Sequence, residues 1–429
     1  MGHIDPPSIA VPDFLALAPG WGLGSLTAVG LLYLGLVILI GVAARSRQSE
    51  RSFSASVFYV GLGALAAAGL SWLDVSPLDP EADHGVLERI CELALVVAVF
   101  SAGLVIERTV RRRSWVSIAT LLLVVMPLTI VAIAAFGMLA MCLSFGAALV
   151  LGAILAPTDP VLAGDVGLAG VGGEVYGEPR LSLHTEAGFN DGLASPFVVL
   201  GLLVAERGGT GWLAEWVLAD LIYAAGLALA FGVVTGLGAS WLATRLRAGG
   251  LLASHLDGFL ALGIVLVIYG ATEAGGGYGL LAVFAAGFAF RRHEFEHEVH
   301  HGVHVGAEVA GTSLELLVLL LLGSMLTLEG MEAPGVGGWL LAPLLILLIR
   351  PSLVLATAPP GLMDLGGKLF LGFFGVRGVA ALFYAAVVVE SGALERGEQH
   401  TVVWTTLVVV VVSIVVHGLS ATPLTRRLL

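Results

Sequence analysis

Charge is scarce in this sequence. Asp, Glu, Lys and Arg together make up 12% of its 429 residues, about half the share found in a soluble domain. That scarcity excludes an ordinary water-soluble enzyme or adaptor. Cysteine is nearly absent too. Cys91 and Cys142 both fall in apolar runs, so there is no disulfide framework and no thiolate metal spacing, and both read as buried thiols. No P-loop occurs, which removes the apparatus for nucleotide hydrolysis and with it a primary pump. No repeated carbonyl filter of the TVGYG kind is visible, which counts against a channel. Residues 1–20 lack a basic first segment and carry Asp5, Pro6, Pro7 and Asp13, so no cleavable signal peptide is expected. No soluble region of useful size remains, and neither a cofactor nor a nucleic acid partner is expected.

What abounds is apolar length. Hydrophobic residues make up 58% of the chain, and its mean hydropathy is +0.98. Runs of about 20 apolar residues, enough for a membrane helix, recur throughout. The 58 glycines suit closely packed membrane helices. Thirteen spans are predicted, at 22–44, 53–74, 86–105, 115–136, 140–170, 184–206, 215–240, 254–274, 277–292, 304–327, 335–358, 366–391 and 399–424. The expected fold class is an all-α polytopic membrane protein, one transmembrane domain over 1–429 with the lipid bilayer as its surroundings. Fifteen of the 20 Lys and Arg residues lie in loops after odd-numbered spans or in the tail, Arg45, Arg112, Arg245, Arg291 and Arg426 among them. Three (Arg89, Arg207 and Arg396) follow even-numbered spans. The positive-inside rule then puts the C-terminus in the cytoplasm and the N-terminus outside, in a cell (inner) membrane.

Ionisable groups at bilayer depth are costly and by default functional. Four clusters stand out. In span five, Ala156-Pro157-Thr158-Asp159-Pro160 places a Thr-Asp pair between two prolines, which should break the helix. Broken membrane helices offer carbonyls and half-helix ends to ions; the plainer reading is a proline kink capped by Asp159. Opening span six, Glu186 and Asn190 are four apart on one face, with Asp191 adjacent. Their hard oxygens suit Na⁺, K⁺ or Li⁺, although acidic residues also favour a helix start. Arg350-Pro351 in span eleven places an arginine that either snorkels to the interface or pairs with a buried carboxylate. In span twelve, Gly375-Val376-Arg377-Gly378 indicates a second interrupted helix. Spans five and twelve are each next-to-last in a six-span unit. This predicts two inverted repeats with crossed broken helices, about 22–206 and 254–424, around a connector helix at 215–240. Glu92, Glu308 and Glu315 are weaker candidates, as partnered core carboxylates or interfacial groups. His293, His297, His300, His301 and His304 read as a solvated loop, with metal binding or pH sensing as the alternatives.

The motifs PTDP at 157–160, TEAGFNDG at 185–192, RP at 350–351 and GVRG at 375–378 occur in order. With CELALVVAVFSAGL at 91–104 they resemble the monovalent cation:proton antiporter family, in its branch of NhaP-type sodium/proton exchangers. The resemblance covers spans three to thirteen. It implies thirteen helices, a homodimer, and a core domain that moves against a dimerisation domain. It implies that Asp191 alternately holds a cation or a proton, with Asp159, Glu186 and the Thr158 carbonyl completing the monovalent-cation site. Asn190 marks the electroneutral branch, Arg350 pairs with Glu186, and Arg377 and Thr185 support the site. One departure is Ala187, where many members carry a Ser ligand, so the ligand count bearing on Na⁺ over K⁺ is altered.

The expectation is a secondary active transporter and not an enzyme. It exchanges Na⁺, with Li⁺ or K⁺ as alternatives, for H⁺. Burial raises a carboxylate pKa and a nearby cation lowers it, so such a site can be tuned to working pH. The rivals are a K⁺/H⁺ antiporter of the same fold, an uncoupled cation channel, and an intramembrane enzyme using Asp159 and Asp191 as a dyad.

Overall fold

The computed structural model describes residues 32–40, 55–72, 77–106, 112–163, 178–293, 298–359, 361 and 363–429. Among these residues every regular element is helical. In chain order they are α1 (32–40), α2 (Ala55–Trp72), α3 (His84–Val105), α4 (Arg112–Ala140), α5 (Phe145–Leu155), α6 (Pro160–Ala163), α7 (Glu178–Glu206) and α8 (Leu213–Ala248). Then follow α9 (Asp257–Ala274), α10 (Gly279–His293), α11 (Glu298–Met325), α12 (Gly335–Thr357), α13 (Leu365–Phe373), α14 (Val379–Ser391) and α15 (Arg396–Leu428). Seven of these contain stretches long and apolar enough to cross a membrane.

Each expected span contains a helix; the first is described only over 32–40, and 164–170 of the fifth lies outside the described residues. The interruptions fall in spans five and twelve. α5 and α14 have 11 and 13 residues. At about 1.5 Å per residue, each reaches only about half-way through a ~30 Å hydrocarbon core. Hydropathy underestimates the helices elsewhere, because a helix continues past its apolar stretch when its last turns are polar. α11 starts at Glu298, so His300, His301 and His304 stand on a helix and not in the expected loop. His297 lies outside the described residues. Cys142 also departs from expectation. Cys91 is buried, but Cys142 is exposed, at a turn residue with φ of 55° between α4 and α5.

The packing separates a buried interior from a lipid-facing shell. In α15, 72% of the apolar stretch is buried inside the protein, against 22% in α8. α3, α7 and α15 surround the two interrupted helices. α8 lies on α10 through Gly232 and Gly236, which meet the backbone at Ala282 and Ala286. Neither glycine has room for a Cβ, the small-residue contact that draws membrane helices together.

At the N-terminal end of α3 the loop folds around Asp79, whose Oδ1 accepts from the Glu81 and Ala82 amides at 2.8 and 2.9 Å. Two histidine–glutamate contacts tie this region to the end of α14 and the start of α15: His84 Nε2 to Glu390 at 2.7 Å and His400 Nδ1 to Glu81 at 2.8 Å. Glu390, followed by the Glu81 carbonyl, raises the His84 pKa above its ordinary 6.5. A raised folded-state value means that this contact contributes its full stability below about pH 6.5 and loses it as pH rises through the raised value. His84→Gln should therefore flatten that part of the pH dependence of Tm in detergent. If the variant and the parent show the same pH dependence, the contact is not the source.

Candidate functional site

The two breaks meet. After α5, Pro157 cannot donate a backbone hydrogen bond, and Pro160 opens α6 with its fixed φ. After α13 the chain leaves the helix and runs irregularly through Gly375 and Gly378 to α14. The segments cross closely enough for the Asp159 N–H to donate to the Val376 carbonyl at 2.8 Å. A Cβ at Gly378 would strike the Asp159 carboxylate, so this crossing needs glycine there.

Charges complement the four half-helix ends. Asp159 Oδ1 accepts from the Leu162 amide at 3.1 Å and Oδ2 from the Val379 amide at 3.0 Å, which caps the starts of both α6 and α14. Arg377 does the reverse: its Nε donates to the Leu155 carbonyl at 3.0 Å, and its Nη1 donates to the Gly375 carbonyl. Acid therefore sits at the amino ends and base at the carboxyl ends, as the helix dipoles favour.

α7 supplies the rest. Arg350 donates to both oxygens of Glu186, at 3.0 and 2.7 Å, with side-chain exposures of 1% and 0%. This is a bidentate pair. Asn190 accepts from the Thr158 amide at 3.1 Å, and its Nδ2 donates to Thr158 Oγ1 at 2.9 Å and to Glu186 Oε1 at 3.1 Å. Asp191 differs. It is fully buried and neither carboxylate oxygen has a hydrogen-bond partner, although Asp159 and Glu186 are within electrostatic reach. Its backbone carbonyl accepts from the Tyr384 hydroxyl, which also contacts Ser195 Oγ at 2.8 Å. Thr185 is likewise buried, with an unpartnered hydroxyl.

The structure thus brings together Thr158, Asp159, Glu186, Asn190, Asp191, Arg350 and Arg377, with Thr185 next to Glu186 in the chain and buried. With all five groups ionised, three carboxylates would stand against two guanidinium groups, one negative charge in excess. A bare buried charge is expensive, so the arrangement is suited to receive one positive charge, a proton or a monovalent cation. Among the described residues no group of three or more His, Cys, Asp or Glu side chains is arranged to hold a metal ion. Asp159 and Glu186 are already committed to capping and to Arg350. Glu92 stands elsewhere, accepting from Tyr269 at 2.6 Å and Arg89 at 2.9 Å. Glu315 is buried on α11 and Glu308 is exposed there. Sequence pattern did not single out Tyr384, Ser413 or His417. The available signal for the last two was a Ser–His pair four apart in an apolar helix.

A family profile described as "Sodium/hydrogen exchanger, transmembrane" matches residues 31–427. The Na(+)/H(+) antiporter 2 of Zygosaccharomyces rouxii is 30% identical over 395 residues, covering 82% of this chain and 46% of the relative. A probable Na(+)/H(+) antiporter of Schizosaccharomyces pombe is 28% identical over 365 residues, covering 78% of this chain and 48% of the relative. The chain spans about half the length of these curated relatives. Two structures of the sodium proton antiporter MjNhaP1 from Methanocaldococcus jannaschii share the fold. The one determined at pH 8 has a TM-score of 0.70 at 17% identity, covering 92% of this chain and 99% of that one. The other, from electron microscopy, has a TM-score of 0.77 at 18% identity, covering 94% and 98%.

Hydrogen bonding separates the two carboxylates that α7 brings to the site, Glu186 and Asp191. Removing Glu186 strands Arg350, and breaking a buried pair costs about 3–5 kcal/mol. Asp191→Asn removes a charge with no partner. Glu186→Ala should lower Tm clearly while Asp191→Asn leaves it unchanged or raises it. Equal Tm losses in one detergent would contradict this division.

Proposed function

The chain belongs to the transmembrane sodium/hydrogen exchanger family, and from that premise we propose that it exchanges a monovalent cation for protons across a bilayer. The observation that carries this reading is Asp191, a buried carboxylate without a partner in a site with one excess negative charge. Proton and cation compete for that charge. Each neutralises it, neither can bind while the other is present, and alternation of access converts the competition into coupled opposing fluxes without ATP. Thr158, bound to Asn190, is proposed to offer a neutral oxygen to the cation. Na⁺ is the proposed cation, by analogy with the relatives named as Na(+)/H(+) antiporters, with Li⁺ or K⁺ tested beside it because Ala187 offers no hydroxyl.

One uncompensated charge also supports electroneutral exchange, one cation per proton. Asn190 adds no titrating group. The remaining parts of the proposal are a homodimer, a cytoplasmic C-terminus on the arginine-rich side, and two inverted repeats (about 22–206 and 254–424) flanking the connector at 215–240. Asp159 is proposed as a frame for the site, its oxygens shared with two helix ends.

In proteoliposomes, Na⁺ added to one side should drive proton movement in the parent protein, and Asp191→Asn should abolish it while the variant reconstitutes normally. Exchange at the parental rate in Asp191→Asn would remove Asp191 from the mechanism; flux of cation without protons would identify a channel. Stoichiometry is tested separately. Moving one net charge against 100 mV is worth about 2.3 kcal/mol. A potassium–valinomycin potential, applied after K⁺/H⁺ exchange has been measured on its own, should leave the final Na⁺/H⁺ distribution unshifted. A reproducible shift with potential would rule out one-for-one exchange.

A further inference from the structure

The second break parts one backbone pair in a specific way. In a continuous helix the Arg377 N–H would donate to the Phe373 carbonyl, four residues back. α13 ends at Phe373 and the chain is non-helical over 374–378, so donor and acceptor are separated. Each finds its new partner on α15. The Arg377 N–H donates to Ser413 Oγ at 2.9 Å, and the Phe373 carbonyl faces His417 Nε2 at 2.8 Å. Ser413 and His417 are four apart on one helix face, and both are 0% exposed.

Both ring nitrogens face a carbonyl, which only accepts; we assign the proton to Nε2, the tautomer in which Nδ1 accepts from the Ser413 hydroxyl. Nδ1 lies 3.2 Å from Ser413 Oγ and 2.7 Å from the Ser413 carbonyl. The ring packs on Phe373 and Phe374, with centroids 5.0 and 6.2 Å away. The charged groups nearest it are Arg377 and Arg350. Arg350 is committed to Glu186 and to the Leu371 carbonyl. Arg377 Nε and Nη1 are committed to the Leu155 and Gly375 carbonyls. Arg377 Nη2 is buried without a partner, and His417 Nε2 is the group that contacts the Phe373 carbonyl.

We infer that Ser413 and His417 are positioning residues that stand in for the missing 373–377 hydrogen bond and hold the Gly375–Gly378 segment open across the first break. Loss of either ring contact or hydroxyl leaves a buried backbone group unpaired, so the segment loosens and its amides open more often. Loosening would withdraw Arg377 from Leu155 and the Val379 amide from Asp159. The inference goes beyond the exchange reading and depends on it only for a transport readout.

Three substitutions at one position test it. Glutamine can place an amide nitrogen near the site of Nε2; asparagine falls one bond short, and leucine fills space without donating. The first readout is hydrogen–deuterium exchange of the peptide covering 374–379, which needs no transport. His417→Leu and His417→Asn should speed exchange there by at least about tenfold, the factor of a lost buried hydrogen bond, and His417→Gln should not. The second readout is Na⁺-driven proton flux, expected to fall by a similar factor in the Leu and Asn variants and to return with Gln. Ser413→Ala should speed exchange at Arg377 alone. If His417→Leu leaves the peptide as protected as in the parent, or if Gln fares no better than Asn and Leu, the bridge is not what holds the break. Where leucine prevents folding, the Gln–Asn comparison decides. If the parent protein shows no exchange activity, the functional reading falls while the deuterium measurement still judges the bridge.

Discussion

Backbone groups freed at mid-membrane depth have no water to turn to, and this one constraint organises the centre of the molecule. A continuous helix satisfies its own amides and carbonyls; an interrupted one must find partners within the protein. Here the partners are few and specific. Asp159 accepts from two amides that begin half-helices, one on each side of the crossing. Arg377 Nε takes the Leu155 carbonyl that ends the first half-helix, and Arg350 reaches the Leu371 carbonyl near the end of the other. The ion pair of Arg350 with Glu186 then ties those ends to α7. Structure and site are in this sense one network, because the groups that keep the breaks open also set the electrostatic surroundings of Asp191.

Once those commitments are met, what remains is chemically simple. Asp159 and Glu186 are held by amides and by a guanidinium. Asp191 is held by nothing through its side chain, while the Tyr384 hydroxyl fixes its backbone. A carboxylate anchored through its main chain and left free at its oxygens can exchange occupants without dismantling its support. The capping role of Asp159 explains why a conspicuous intramembrane acid need not be the group that turns over.

Much of this was legible in the sequence, for a physical reason. Prolines on both sides of Thr158-Asp159 and glycines on both sides of Val376-Arg377 interrupt helices by local chemistry, which needs no tertiary information. An acid or arginine in an apolar run requires a partner, so Arg350 was foreseeable as half of a buried pair, with snorkelling as the alternative; Glu186 as its partner came from the family resemblance. Other features depended on packing. The ends of α11 and α15 extend past their apolar stretches, which hydropathy does not register. Cys142 sits between two apolar runs yet occupies an exposed turn. Tyr384 and His417 lie among apolar residues, and neither side chain announces a role until the carbonyl it faces is known.

Asn190 shows how finely the charge of the site is set. Its carbonyl oxygen accepts from the Thr158 amide, while its amide nitrogen donates both to Thr158 Oγ1 and to Glu186 Oε1. Aspartate would keep the first bond, would keep the second with the Thr158 hydroxyl turned to donate, and would lose the bond to Glu186, because an ionised carboxylate only accepts. It would also set a second anion at the 3.1 Å distance where the amide now donates to Glu186. Like charges that close cannot both remain ionised, so one of the pair would hold a proton. Arg350 would then face a carboxyl group it could no longer rely on as an anion, and the number of exchangeable protons would rise. An amide at this position therefore does two things at once. It locks α7 to the broken helix through Thr158, and it confines the site's uncompensated charge to Asp191.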